Sequence, residues 1–166
     1  MNPGRNFARS SDSFHHRRLA AFAGSAMMLL LAGCSTFERD WRAASQAPEQ
    51  RDALVGRWQG TWRSEVNGHN DQLRAVVTPA SNDVYSARFH AKYKLGFLRF
   101  SFGHSVLLQA RRANDAFQFE GGADLGWLAG GVYRYEGSAT ATNFTSTYRS
   151  KYDHGTFKMT RPSAKD

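Results

Sequence analysis

Tyr85, Ala87, Phe89, Ala91, Tyr93 and Leu95 alternate residue by residue with Ser86, Arg88, His90, Lys92 and Lys94. Side chains on a strand point to opposite faces in turn, so residues 84–94 read as a strand with one dry face and one wet face. The same period of two runs through the chain from Val55 onward and predicts eight strands. The first covers 56–65, with Trp58, Gly60 and Trp62 inward. The second covers 72–78, with Leu73, Ala75 and Val77 inward. After 84–94 comes 98–110, which places Leu98, Phe100, Phe102, His104, Val106 and Leu108 on one face. The last four are 116–121, 132–139 (Tyr133 and Tyr135 inward), 143–150 (Phe144, Tyr148) and 155–161 (Phe157, Met159).

Turn-forming residues separate these runs: Asn67 to Asp71, Ser81-Asn82-Asp83, Leu95-Gly96, Asn114-Asp115 and Asp153-His154-Gly155. Short links join antiparallel neighbours. Eight such strands form a meander, and closing it removes two exposed edges. The expected fold is therefore all-β, an eight-stranded antiparallel up-and-down barrel; a two-sheet sandwich satisfies the same pattern. The outward positions are rich in Arg and Lys, which argues against a barrel that faces lipid with its wall.

The first 33 residues have a different character. Arg5, Arg9, Arg17 and Arg18 precede residues 19–33, which carry no charge. This is the pattern of a signal segment, and it is too short to span a bilayer comfortably, which takes about 20 apolar residues. Leu31-Ala32-Gly33-Cys34 closes the segment and resembles the lipobox of bacterial lipoproteins. The resemblance implies a cleaved signal peptide at 1–33 and a diacylglycerol and palmitate-type chains on Cys34. It also implies a membrane anchor through that residue. Ser35, by the same resemblance, points to the cell outer membrane, with the protein on its periplasmic face. Cys34 is the sole cysteine, so no intramolecular disulfide is available. Residues 34–52 then read as the lipidated cysteine and a polar tether, with a helical turn around Glu38–Ala44 that Pro48 ends. Extended at ~3.5 Å per residue, such a tether reaches about 60 Å. The barrel domain occupies 53–162.

The chain has 22 Lys+Arg against 14 Asp+Glu, a balance that raises the question of nucleic acid. Residues 1–33 contribute four Arg and one Asp, which leaves 18 basic and 13 acidic groups in the remainder. That charge suits an anionic membrane surface or solubility, and no nucleic-acid partner is expected.

Gly56-Arg57-Trp58 at the start of the first strand resembles the G-x-W opening of lipocalins and the wider calycin barrels. In that family the Trp sits at the closed end under a basic residue from the last strand. Trp58 and Arg161 are the matching pair here. The second lipocalin signature is absent, since residues 140–143 read Thr-Ala-Thr-Asn. The resemblance implies a small apolar or amphipathic ligand held inside the barrel. The candidate lining is Trp62, Tyr85, Phe89, Tyr93, Phe100, Phe102, Tyr133, Tyr135, Phe144 and Tyr148. Eight strands also just suffice to be filled by their own side chains, so a packed barrel that works through a protein partner in the envelope fits equally.

In an up-and-down barrel, alternate links share an end. The longest link, 122–131, reads GADLGWLAGG, and Leu125, Trp127 and Leu128 give it an apolar tip. It serves either as a flap at the barrel mouth or as a plug. Its glycines lack the Gly-Lys-Ser/Thr of a phosphate loop. His69, Asp71, Asp153 and His154 gather at the same end without metal-ligand spacing. No cofactor, metal or catalytic residue is expected.

Overall fold

A computed structural model describes residues 36–47, 52–127 and 130–163. The signal segment, Cys34 and Leu128 lie outside the described residues. Eight strands are present among the described residues: β1 (Gly56–Ser64), β2 (Asn70–Ser81), β3 (Val84–Leu95), β4 (Leu98–Ala113), β5 (Ala116–Asp124), β6 (Val132–Ala139), β7 (Asn143–Arg149) and β8 (His154–Thr160). Each pairs antiparallel with the next, and β8 returns to β1, so the sheet is a closed barrel in sequence order and not a sandwich. The seam runs from Gln59 opposite Thr160 to Ser64 opposite Gly155.

Closure bends the strands hard, and glycine at inward positions permits it. A Cβ on Gly155 would stand 1.9 Å from the Arg63 carbonyl oxygen, and one on Gly137 would stand 2.2 Å from that of Thr145. The links at one end of the barrel are β2–β3, β4–β5 and β6–β7. Asp83 and Asn114 take positive φ there (57° and 56°), which their short polar side chains tolerate. The other end, the mouth, gathers the β1–β2, β3–β4, β5–β6 and β7–β8 links.

The closed end is sealed from below. Trp58 is fully buried, donates its indole N–H to the Leu54 carbonyl at 2.9 Å, and packs on Phe144. The Arg161 guanidinium lies 3.7 Å from the centre of the Trp58 ring. Arg161 also donates to the carbonyls of Ala53, Arg57 and Ala141, which fixes the chain entry, β1 and the β6–β7 link together. Burial lowers its pKa from the ordinary value. Asp52 accepts the Tyr85 hydroxyl and the Leu54 amide, completing the floor; burial first, then Asp52, pushes the Tyr85 phenol up to about 12.

One segment departs from expectation. The stretch read as a tether contains a helix, α1 (36–46), docked on the outer wall over β2 and β3. Phe37, Trp41 and Ala44 fall at i, i+4 and i+7, the spacing of one helical face. Phe37 and Trp41 are buried against Val76, with Arg74 stacked over both rings and Arg57 over Trp41. Glu38 pairs with Arg74, and Asp40 and Thr36 with Arg88. The Arg74 hydrogen bond holds the Glu38 carboxyl below its ordinary pKa. Arg88 is therefore committed to α1 rather than standing on a free basic face. Residues 36–46 are docked on the barrel, so this part of the stretch is not an extended leash. Among the described residues, both core clusters belong to the compact unit Thr36–Asp166, which contains the whole closed sheet.

Two substitutions check this account by urea unfolding. Gly155→Ala forces a methyl into the Arg63 backbone and is expected to cost about 3 kcal/mol or prevent closure. Trp41→Ala removes the helix anchor and is expected to cost about 3 kcal/mol. A loss below about 1 kcal/mol for Trp41→Ala would mean α1 is not part of the folded unit.

Candidate ligand-binding mouth

The barrel changes character along its axis, and β4 shows how. On its inward face Leu108 and Val106 are 0% and 1% exposed, yet Phe102, Phe100 and Leu98 are 44%, 51% and 48% exposed. Strand lengths explain this. β4 pairs with β3 from Leu98 to Gln109 but with β5 only from Leu107 to Ala113. Above Leu107 the wall has no β5 neighbour, and the β3–β4 ribbon stands up past the barrel with its inward aromatics uncovered.

Below that level the interior is filled by its own side chains. Phe89 packs on Tyr135, Phe144 and Phe157, with ring centres 6.1, 6.4 and 5.3 Å away. Phe119 meets Phe144 at 4.8 Å, and Tyr148 meets Phe157 at 5.1 Å. Five residues expected to line a pocket are thus core residues packed on one another: Tyr85, Phe89, Tyr135, Phe144 and Tyr148 are all buried. The parity was right for each, but eight strands leave little width, and aromatic rings fill it.

The remaining five candidates, Trp62, Tyr93, Phe100, Phe102 and Tyr133, form the mouth. Trp62 stacks on Tyr93 at 6.1 Å and donates its indole N–H to the Lys92 carbonyl at 2.9 Å, reaching across the top of β2. His69 tilts onto Tyr93 at 5.1 Å. Phe100 stands opposite Tyr93 across the β3–β4 ribbon. A hollow of about 420 Å³ beside them is lined mostly by polar side chains, Asp71, Gln72, Lys92, Lys94, Arg99 and Ser101, with Tyr93 and Phe100 at its edge, so the apolar surface of the mouth is the aromatic wall itself. A larger depression of about 960 Å³ lies on the outer wall over β4 to β8, but Gln109, Arg111, Gln118, Glu120, Glu136 and Thr147 make it polar and unsuited to an apolar guest.

His104 forms the floor of the mouth. It stacks between Phe102 (5.6 Å) and Phe89 (5.4 Å), and its Nε2 shares a hydrogen bond of 2.9 Å with the Tyr135 hydroxyl. Burial lowers its pKa to about 4, so the imidazole is neutral near pH 7. Burial likewise raises the Tyr135 phenol. This polar pair closes the aromatic floor without placing a charge there.

The rim serves structure. Asp153 accepts hydrogen bonds from the Ser64 hydroxyl (2.6 Å) and the Tyr148 hydroxyl (3.1 Å), and so ties β1 to the β7–β8 link. His154 faces Glu65 at 3.7 Å, and Asp71 accepts the Gln72 amide. No group of three His, Cys, Asp or Glu placed to hold a metal occurs among the described residues. Leu125 is half-buried, its amide bound to the Gly131 carbonyl. Trp127 is 85% exposed and plugs nothing.

No protein-family model matches the chain, and no curated protein matches it. A solved structure described as a redesigned beta barrel is similar at 18% identity and TM-score 0.44, covering 70% of this chain and 100% of its own.

The buried His104 has a consequence for stability. An unfolded chain protonates this imidazole near 6.5, whereas the folded chain does so only near 4. Between those values the unfolded state binds the extra proton, so stability falls as pH drops from about 6.5 to about 4, by about 3 kcal/mol at most. Urea titrations across that window are expected to show this slope in the wild type and to show it reduced in His104→Phe; an equal slope in both would place the titration elsewhere.

Proposed function

We propose that this chain is a lipid-anchored barrel of the cell envelope whose mouth holds a small apolar or amphipathic molecule. One observation carries the reading: Phe100 and Phe102 stand at inward positions of β4 and yet are about half exposed. An aromatic wall without a cover costs solubility unless something is laid against it. Trp62, Tyr93 and Tyr133 extend that wall, and the phenol groups of the two tyrosines give it polar handles for a headgroup or carboxylate. The site is a shallow bowl, so the ligand lies partly in the mouth, and the filled core beneath it sets its depth. Anchoring through Cys34 at the outer membrane, on the periplasmic side, follows from the lipobox resemblance and the uncharged stretch before it.

The filled core also supports a second reading, in which the barrel is a rigid support and the same mouth docks an envelope protein. Fluorescence titration of residues 36–166 with cis-parinaric acid separates the two. Saturable binding is expected, lost at least about tenfold in Phe100→Asp and Phe102→Asp, since a charge is placed in the apolar wall. Both positions are exposed, so the variants keep the fold. Binding that is absent in the wild type, or unchanged in both variants, leaves the protein-docking reading in its place.

A further inference from the structure

The two ends of the barrel differ in the tips of their links. At the closed end the turns are Asn82-Asp83, Asn114-Asp115 and Thr140 to Thr142, the polar residues that turns favour. At the mouth each of the four links carries a large apolar or aromatic residue, exposed: Val66 (56%), Phe97 (91%), Trp127 (85%) and Tyr152 (64%). Each is held on a built turn. Ser64 Oγ accepts the Val66 amide, Gly96 takes positive φ beside Phe97, the Asp124 carboxylate accepts the Gly126 amide before Trp127, and Ser150 Oγ accepts the Tyr152 amide. Among the exposed large hydrophobics of the described residues, only Leu107 lies away from this end.

Charge at the same end is complementary to an anionic surface. Lys94 and Arg99 face each other across the β3–β4 ribbon just below Phe97, and Lys151 adjoins Tyr152. The mouth also holds four carboxylates, Glu65, Asp71, Asp124 and Asp153, against seven cations among the described residues, since Arg63, Lys92, Arg134 and Arg149 also lie within four residues of its links. Chain direction agrees. α1 starts at mid-height of β3, with Phe37 stacked on His90 and Thr36 at Arg88, then runs toward Thr78 and Ser86, so its first residue lies nearer the mouth than its last. Cys34 is two positions upstream of Thr36.

We infer that the mouth seats directly on an anionic phospholipid bilayer, with Phe97, Trp127, Tyr152 and Val66 entering the interface and Lys94, Arg99 and Lys151 at headgroup level. The ligand then passes between bilayer and bowl without crossing water. This deepens the proposed function, and its orientation rests on Cys34 carrying the anchor; the seating itself can be tested without acyl chains.

Residues 36–166 are mixed with phosphatidylethanolamine–phosphatidylglycerol vesicles whose acyl chains are brominated. Trp41 and Trp58 are buried and Trp62 is half-buried, so quenching reports chiefly on Trp127. The expected result is flotation with the vesicles, bromine quenching that is lost in Trp127→Phe, and at least about tenfold weaker flotation in Phe97→Ser/Trp127→Ser. Both positions are exposed tips, and an unchanged melting curve verifies the fold. Absence of flotation, or equal flotation of the double variant, overturns the inference. The parinaric acid titration keeps the two ideas apart. Ligand binding without flotation sinks the seating alone; flotation without ligand binding upholds the seating and removes the cargo.

Discussion

Pairing of β8 with β1 is the contact on which the rest depends. Until it forms, the meander has two open edges and an aromatic face with nowhere to go; once formed, that face is the core. Two seals hold it. At the closed end Arg161 covers Trp58 and gathers three carbonyls, and at the mouth Asp153 joins Ser64 to Tyr148. Gly137 and Gly155 are where the wall turns so tightly that a single methyl would meet a neighbouring backbone.

Closure makes a barrel, but strand length makes a site. β5 stops pairing with β4 at Leu107, and the β3–β4 ribbon continues. The same inward row therefore runs from fully dry at Leu108 to half wet at Phe100. His104 and Tyr135 sit at the transition, where the imidazole Nε2 and the phenol share a hydrogen bond and the packed region ends. The proposed binding role and the proposed seat on the bilayer both draw on this polarity, one from the inner wall and the other from the link tips.

The strands were legible because a half-buried strand writes its environment at every second residue, and the eight runs from Trp58 to Met159 do so almost without interruption. The closed-end pair was legible through the G-x-W resemblance, which matches Trp58 at the start of the sheet with Arg161 at its end. α1 was harder to read. Its apolar face is Phe37, Trp41 and Ala44 alone, set among charges that look like those of a linker, and its partners Arg74, Val76 and Arg88 lie on strands whose outer face reads as wet. The mouth was legible only in part. Parity says that Phe89 and Phe100 share a face, but the depth of each depends on where the neighbouring strand ends, and no local pattern encodes that. Trp127 was visible as a loop residue; that all four mouth links carry an exposed apolar or aromatic tip, and the opposite links none, emerges once the strands are closed.

Hydrogen exchange of residues 36–166 with and without phosphatidylglycerol-containing vesicles tests the central claim most directly, because it reads both ends of the barrel at once. The account predicts slowed exchange at 65–69, 95–98, 125–131 and 150–153, with 82–83, 114–115 and 140–142 unchanged. Protection at the closed-end links, or none at the mouth, would contradict it.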